Sequence, residues 1–342
     1  MTSILLVGLG RWGANHLRTL RSLPVTLYCA DTDPARLEAA VKGGVAAERC
    51  GRDALAFLPK VDGVVVATPA QSHFDLTRRC LDAGKDVLVE KPLTVTAAES
   101  KQLTELALKK GRILQVGHIF LYDPASLWLR DAVADGTFGR MKLLRGNFSG
   151  FKRPRSDGGV SFADAIHFSA LFDFILGRRP KRVTGHLADF FGRGMDDQSL
   201  IVLDYELPPT PGNPGGRVMA QIETGYHVPG KFREVTVTGD KLSAVCDFNI
   251  AQYKIKTFEA RHEPAQSGSG TGNGEIAAVE GAMKQLEFPP SEPLLEELRA
   301  FIESISSRRP PLADGWSGYW AVRTIETAIE SAAQGKTLSL DG

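Results

Sequence analysis

The stretch Gly8-Leu9-Gly10-Arg11-Trp12-Gly13 directly follows the apolar run of residues 4–7 and opens a segment with helical periodicity. It matches the pattern G-x-G-x-x-G, which indicates a dinucleotide site when it joins a strand to a helix. We expect Gly8 to make the tight turn, Gly10 to let the backbone approach a pyrophosphate, and Gly13 to allow close packing of the helix. The helix N-terminus would offer free N–H groups to the phosphates. Arg11 and Trp12 complete the residues of this loop expected to contact a cofactor.

Asp31 ends the second predicted strand, at the distance from the glycine loop where an acid can bind both hydroxyls of the adenosine ribose. A carboxylate there repels the 2′-phosphate of NADP, and residues 32–34, which follow it, include no cation. We therefore expect NAD, with NADP less favoured. Asp31 could instead cap the following turn, although Asp33 is placed better for that task.

Short apolar strands alternate with helices through the first third of the chain, which predicts a parallel sheet covered on both faces. We assign a doubly wound Rossmann domain of the α/β class to residues 1–121. Ser72 is expected to cap one of its helices, and Thr96 with Glu99 has the spacing of a capping box. The predicted strands are residues 4–7, 25–30, 61–67, 86–90 and 113–116.

Residues 122–342 have a different pattern and are assigned to a second domain of the α+β class. Strands follow one another there without helices between them, which favours an open mixed or antiparallel sheet. Residues 264–274 are rich in Gly and Ser and predict a flexible segment. The C-terminal helix can pack back on the first domain. The predicted helices are 125–135, 162–176, 294–304 and 318–333, and the strands are 141–148, 182–191, 199–206, 217–226 and 234–238.

Composition limits the function classes. With 342 residues, 43% of them hydrophobic, the chain can build two domain cores, and its net charge of +1 suggests neither nucleic acid nor a membrane surface as a partner. No apolar run approaches the roughly 20 residues of a membrane span, and the run at residues 4–7 is too short for an export signal. The four cysteines are scattered without a C-x-x-C pair, as expected of a reduced cytoplasmic protein.

Two pairs of ionisable residues lie where packing does not explain them. Glu90 and Lys91 end a buried strand, at the edge of an open α/β sheet where ligands bind. A lysine at a strand end is, taken alone, more often solvated than catalytic. Asp164 and His167 are three residues apart on an apolar helix and so project from one face. Asp164 could simply satisfy a core histidine by a hydrogen bond, and as metal ligands the pair lacks an obvious third member.

These motifs occur in an order that resembles one family, the Gfo/Idh/MocA oxidoreductases, over nearly the whole chain. The resemblance implies a Rossmann domain followed by an open-faced mixed sheet, with substrate held between that sheet and the nicotinamide. It also implies that Lys91 touches substrate and cofactor and that His167 is an acid/base. Family members place the helix acid four residues before the histidine, where this chain has Ala163, and Asp164 lies one residue closer. The residues that the resemblance places beside the cofactor are Thr68, Pro69, Ser72, His73 and Glu90.

Oxidation of a secondary alcohol requires a base for the hydroxyl proton, and histidine is suited to that task near neutral pH. We assign His167 as the base and Lys91 as a donor that stabilises charge on the oxygen, or the two roles exchanged, with Asp164 beside them. His118 and Tyr122 are expected substrate contacts. Arg153, with Arg155, could bind a substrate phosphate or carboxylate, although a solvated loop is at least as compatible.

The sequence thus predicts an NAD-dependent oxidoreductase acting on a sugar, an inositol or a nucleotide sugar, without a metal. Residues 117–124 resemble the subgroup associated with nucleotide-sugar and polysaccharide metabolism. The alternative is a non-catalytic NAD-binding regulator of the same fold, against which the presence of Lys91 and His167 argues. An exposed sheet face in the second domain predicts a homodimer or homotetramer.

Overall fold

The computed structural model describes residues 1–155, 158–210, 212–264 and 276–340. Its contacts divide the chain into two compact units. The first comprises Met1–Asp123 and Ser291–Glu326, and the second comprises Pro124–Pro290 and Thr327–Gly342. The sequence-based boundary follows residue 121 and allows the C-terminal helix to pack back on the first domain, whereas the first unit ends its first segment at Asp123 and also includes Ser291–Glu326. Residues 265–274 of the predicted flexible segment lie outside the described residues.

The helices of the described chain include those predicted from the sequence, with ends that shift by a few residues. The residues before α6 form a single π-helical turn, Ser161–Ala165, where we predicted continuous α-helix. The helices are α1 (Arg11–Leu20), α2 (Pro34–Lys42), α3 (His73–Asp82), α4 (Ala97–Lys109), α5 (Pro124–Ala134), α6 (Ile166–Leu176), α7 (Pro293–Ser307) and α8 (Gly315–Gln334).

Within the described residues, a six-stranded parallel sheet in the order β3-β2-β1-β4-β5-β6 forms the centre of the first unit. Its central strands are buried along their length, because helices cover both faces. This confirms the predicted Rossmann fold. The strands are β1 (Ser3–Val7), β2 (Thr26–Ala30), β3 (Cys50–Gly51), β4 (Gly63–Val66), β5 (Asp86–Val89) and β6 (Leu114–Val116).

The predicted caps are confirmed for two helices and wrong for a third. The Asp33 carboxylate accepts a hydrogen bond from the Ala35 N–H at the start of α2. The Thr96 hydroxyl accepts one from the Glu99 N–H at the start of α4. Ser72 instead donates to the Pro69 carbonyl, and its hydroxyl lies 2.7 Å from the Thr68 hydroxyl, so it stabilises the turn before α3 rather than the helix end.

In the described part of the second unit, nine strands form a mixed sheet in the order β14-β13-β12-β11-β7-β10-β9-β8-β15. β7 and β10 are parallel and the other neighbours are antiparallel, which confirms the expected mixed sheet. The strands are β7 (Met141–Ser149), β8 (Arg182–Ala188), β9 (Gln198–Leu207), β10 (Gly216–Gly225), β11 (Glu234–Gly239), β12 (Ser243–Asp247), β13 (Ile255–Pro264), β14 (Ile276–Leu286) and β15 (Leu338–Ser339).

Helix α6 packs on one face of this sheet through aromatic side chains. Gly146 on β7 leaves the space that the ring of Phe168 fills, since a Cβ at residue 146 would lie 2.5 Å from that ring. Along β10 the side chains of Val218, Ala220 and Ile222 are buried, whereas Met219 between them is 40% exposed. The sheet therefore has one covered face and one open face within this unit. None of the helices in the described ranges is both long enough and apolar enough to cross a membrane.

Candidate functional site

The glycine loop between β1 and α1 has the geometry that its sequence predicts. Gly8 has a φ of +90°, and a Cβ there would lie 2.7 Å from the Ala67 carbonyl oxygen. A Cβ on Gly13 would overlap the Gly8 carbonyl oxygen. At Gly10 the nearest atom to such a Cβ is the Arg36 Nη1, at 3.6 Å. Gly8 and Gly13 are therefore required by the protein itself, whereas Gly10 leaves open space for a ligand.

The N-terminus of α1 is suited to an anion. Gly10 is its N-cap and has no side chain that could accept from the first-turn N–H groups, and no acidic residue lies in that turn. The helix dipole and these N–H groups favour negative charge at this end. Arg11 and Trp12 are exposed at the first two helical positions. The loop thus fits the pyrophosphate of a dinucleotide.

Asp31 is tied to the glycine loop. One oxygen of its buried carboxylate accepts a hydrogen bond from the Leu9 N–H at 2.6 Å, and the other accepts one from the Asp33 N–H at 2.8 Å. Arg36 Nη1 lies 3.4 Å from the same carboxylate. This cation was not predicted, because Arg36 lies beyond the three residues that directly follow Asp31. Arg36 reaches back from the first turn of α2, a position that the predicted helix could have revealed.

His73 joins the loops that follow β4 and β5. Its ring is 1% exposed, with Nε2 2.9 Å from the Thr68 carbonyl oxygen and Nδ1 2.8 Å from the Pro92 carbonyl oxygen. Burial lowers the pKa of this imidazole, against the opposite effect of its hydrogen bonds to the Pro92 and Thr68 carbonyls. His73 thus holds the turn at Thr68 and Pro69 beside the loop that carries Lys91, whose peptide bond to Pro92 is cis. The expected contact of these residues with the cofactor stays a prediction.

The side chain of Glu90 makes its hydrogen bonds within the first unit. Its Oε1 accepts a hydrogen bond from Trp12 Nε1 and lies 2.6 Å from His16 Nε2. Its Oε2 accepts from the N–H of Lys91 at 3.2 Å. Glu90 therefore links α1 to the end of β5 and fixes the backbone of Lys91. His16 was missed, although a histidine three residues after Gly13 lies on the buried face of α1.

The two predicted substrate contacts of the first unit differ in what surrounds them. His118 is 1% exposed, and burial together with the charge of Lys91 lowers its pKa to about 3, so the ring is neutral. In the described part of the chain, neither of its ring nitrogens has a hydrogen-bond partner. Tyr122 is buried and its hydroxyl accepts a hydrogen bond from the Ala313 N–H at 3.4 Å. Among the described residues both His118 ring nitrogens thus have no partner, whereas the Tyr122 hydroxyl is bonded to the backbone, and the expected substrate contacts of both residues stay predictions.

In the second unit, His167 lies against the ring of Phe148, with the ring centres 5.5 Å apart. His167 is the second residue of α6 and Asp164 lies in the π-helical turn before it, so the α-helical spacing assumed for the pair does not hold. Asp164 Oδ2 accepts a hydrogen bond from Lys152 Nζ at 2.5 Å. Asp164 is thus half of an ion pair that the sequence did not predict. Arg153, expected to contact substrate, is exposed.

Two cations, Lys152 and Arg233, lie near the ring of Phe148. Lys152 Nζ lies 5.2 Å from the ring centre, and the Arg233 guanidinium carbon lies 3.5 Å from it. Residues 148 and 233 are far apart in the sequence and come together because β7 pairs with β11 in the sheet. No local sequence pattern therefore predicts this contact. Among the described residues, no group of three or more His, Cys, Asp or Glu side chains could hold a metal ion.

Comparison with known proteins decides the family. Residues 2–118 match the model of the Gfo/Idh/MocA oxidoreductase family with an NAD-binding Rossmann fold, and residues 127–245 match a Gfo/Idh/MocA C-terminal domain. The chain belongs to the Gfo/Idh/MocA oxidoreductases. This confirms the resemblance inferred from Gly8–Gly13, the Glu90-Lys91-Pro92 stretch and the helix of His167.

Similar proteins span almost the whole chain. Inositol 2-dehydrogenase 2 of Saccharopolyspora erythraea is 25% identical over 354 residues, which cover 98% of this chain and 94% of the relative. A scyllo-inositol 2-dehydrogenase (NADP(+)) of Bacillus subtilis is 25% identical over 303 residues, 83% of this chain and 80% of the relative. The structure of a levoglucosan dehydrogenase in complex with NADH and levoglucosan superposes with a TM-score of 0.80 at 17% identity and covers 100% of both chains, which supports the fold.

Proposed function

We propose that this protein is an NAD-dependent oxidoreductase that transfers a hydride between the nicotinamide and a secondary alcohol or ketone carbon of a sugar, an inositol or a nucleotide sugar. The observation that carries the proposal is the glycine loop with its open space at Gly10 and its hydrogen bond from Leu9 to Asp31. The membership in an oxidoreductase family and the similarity to inositol dehydrogenases support the substrate class.

The cofactor would be held by Gly8–Gly13 at its pyrophosphate and by Asp31 at the adenosine ribose, and its nicotinamide accepts or donates the hydride when bound. Asp31 favours NAD over NADP because its carboxylate repels a 2′-phosphate. Arg36 compensates part of that charge, since its guanidinium lies 3.4 Å from Asp31. We therefore expect a preference for NAD rather than an exclusion of NADP.

The chemical step needs a proton acceptor and a donor for the substrate oxygen. His167 would remove the hydroxyl proton during oxidation and return it during reduction. Lys91, whose backbone is fixed by Glu90, would donate a hydrogen bond to the oxygen and stabilise its developing negative charge. His118, neutral and beside the charge of Lys91, would contact a substrate hydroxyl. Asp164 would orient Lys152 rather than exchange a proton itself, because the two are joined in an ion pair.

The test is a panel of sugars, inositols and nucleotide sugars, each incubated with the protein and NAD while the absorbance of reduced nicotinamide is followed. Turnover of at least one sugar-like alcohol is expected, with NAD used in preference to NADP. Binding of NAD without turnover of any member of the panel, in either direction, would favour the non-catalytic regulator over the enzyme.

We also propose that two or four copies associate through the open face of the second unit's sheet and that the protein works in the cytoplasm. Leu200 and Met219 are 39% and 40% exposed on that face, and exposed apolar sheet faces tend to be interfaces. Cys29 and Cys80 are buried thiols, as is common in a reducing compartment. Light scattering at micromolar concentration and cell fractionation test these proposals, and a persistent monomer would contradict the first.

A further inference from the structure

Two cations and the proposed acid/base lie close to the ring of Phe148. Arg233 and Lys152 lie 3.5 and 5.2 Å from its centre, and the His167 ring lies 5.5 Å from it. Asp164 is the fifth member of the group, because it forms an ion pair with Lys152. We refer to Phe148, Lys152, Asp164, His167 and Arg233 as the Phe148 cluster. All five belong to the second unit.

The Phe148 cluster has more positive than negative charge. The carboxylate of Asp164 stabilises both the ammonium of Lys152 and the guanidinium of Arg233. One negative charge therefore balances only one of the two positive charges. Burial lowers the pKa of Lys152, and the charges of Arg233 and Arg155 lower it further, against the opposite effect of Asp164. The cations thus repel one another, and a bound anion would relieve that repulsion.

Neutralisation of Asp164 does not require both cations. Lys152 alone is enough to neutralise Asp164, with which it makes a hydrogen bond at 2.5 Å. Arg233 is then a second cation, partly withdrawn from water and placed over an aromatic face. Its Nη1 donates to the Phe232 carbonyl, and the other N–H groups of its planar guanidinium can donate to a ligand. Guanidinium groups bind phosphate and carboxylate oxygens in a bidentate manner, which suits them to anion recognition.

We propose that Arg233 and Lys152 bind an anionic group of the substrate, so that the protein acts on an acidic or phosphorylated sugar rather than on a neutral polyol. The proposal rests on the proposed function, because it assigns the substrate class of that same site. A phosphate ester, a carboxylate and a nucleotide diphosphate all place negative charge beside the sugar ring. Three charged sugars, one with each of these groups, show which group the site binds.

The test is calorimetric binding to the protein saturated with NADH. The probes are glucose, glucose 6-phosphate, glucuronate and UDP-glucose, each titrated at low and at high salt. At least one charged probe should bind about tenfold more tightly than glucose, and its affinity should fall with salt. Arg233→Gln should remove about that tenfold advantage and leave NADH affinity unchanged. Arg309→Gln loses the same charge at a side chain that is 76% exposed and should bind the probes like the native protein.

Equal affinity for glucose and all three charged probes, or no binding of any charged probe, would overturn the proposal. The salt series on the native protein decides this even if Arg233→Gln folds poorly. Turnover of neutral sugars with no preference for charged ones would likewise overturn it while leaving the proposed function intact. Failure of the proposed function is recognised separately, as NAD binding without oxidation or reduction of any sugar in the panel.

Discussion

His16 Nε2 lies 2.6 Å from Oε1 of Glu90, and both side chains are buried in the first unit. Glu90 also accepts from Trp12 and from the backbone N–H of Lys91, so the histidine completes the set of donors around a buried carboxylate. A buried acceptor that loses a partner retains the cost of its desolvation. The link between α1 and the end of β5 therefore depends on His16.

We expect His16→Ala to lower the free energy of unfolding by about 1–3 kcal/mol, because Glu90 loses a hydrogen-bond partner. Urea unfolding measures this change. His186→Ala, at an exposed position of β8, is the control and should change stability by less than about 0.5 kcal/mol. Equal effects of the two substitutions would show that the Glu90 contact contributes nothing specific.

The glycine loop predicts opposite outcomes for two alanine substitutions. Gly10→Ala has space in the protein, so it should fold normally and lose NAD affinity because the new methyl group blocks the pyrophosphate. Gly13→Ala would overlap the Gly8 carbonyl oxygen and should destabilise the protein by about 1–3 kcal/mol. Thermal unfolding without ligand and NAD titration separate the two effects. A Gly10→Ala protein that binds NAD like the native one would contradict the assignment of the loop.

The pairing of Asp31 with Arg36 predicts how cofactor preference responds to mutation. Asp31→Ala should narrow the gap between NAD and NADP, since the repelling carboxylate is lost and Arg36 is released to bind a 2′-phosphate. Arg36→Ala should weaken NADP binding more than NAD binding. Dissociation constants for both cofactors, measured for each variant, test this. Equal affinity of the native protein for NAD and NADP would overturn the proposed role of Asp31.

Asp173 in the second unit should make stability depend on pH. Burial raises its pKa from 3.8 to about 6, against the opposite effects of Arg179, 3.0 Å away, and of the Tyr205 hydroxyl, which donates to it at 2.9 Å. The folded protein thus holds this proton more tightly than the unfolded chain does. The stability contributed by the raised pKa is present below about pH 4 and is lost as the pH rises towards 6.

The difference in stability between the native protein and Asp173→Asn should therefore be largest near pH 4 and fall by an amount on the order of 2 kcal/mol by pH 7. Urea unfolding over this pH range measures it. Asp75→Asn, at a side chain that is 74% exposed, is the matched control and should give a smaller pH-dependent difference. A difference that grows with pH would show that Asp173 is ionised more readily in the folded state.

The parts of the fold that sequence predicts are those encoded locally. The glycine loop and the buried strands of the first unit each occupy a few adjacent residues, and their apolar runs show in the sequence. Strand β14 was missed because its side chains are mostly exposed, which leaves no apolar alternation to detect. The π-helical turn at Ser161–Ala165 was missed because its composition matches that of the α-helix that follows.

The site residues also divide into those that a local motif predicts and those that only the fold brings together. Lys91 and His167 were found because motifs surround them, whereas Arg233 reaches the ring of Phe148 only through strand pairing. The motif that contains Glu90 led us to expect it beside the cofactor, which stays a prediction, and its hydrogen bonds to Trp12 and His16 could not be read from the motif. Sequence therefore identifies which residues are unusual, and the fold determines which partners they contact.

The last prediction separates binding from chemistry. Lys91→Ala and His167→Ala should both keep native affinity for NAD, because neither belongs to the glycine loop or to the Asp31 carboxylate. Removal of a general acid–base should lower turnover by about 10²- to 10⁴-fold, and removal of a donor that stabilises charge by about 10²- to 10³-fold. In oxidation, the native rate should rise as the His167 ring loses its proton, and this dependence should disappear in His167→Ala.

The measurements are NAD titration and steady-state rates with a proven substrate over a range of pH, and Lys109→Ala, at an exposed lysine near the end of α4, is the control. Loss of NAD binding in either variant would mean that the residue holds the cofactor rather than the reacting oxygen. A folded variant that turns over the substrate at nearly the native rate would remove that residue from the mechanism. If both did so, His167 would be a packed core histidine beside Phe148, and the catalytic groups would have to be sought elsewhere, beginning with the neutral ring of His118.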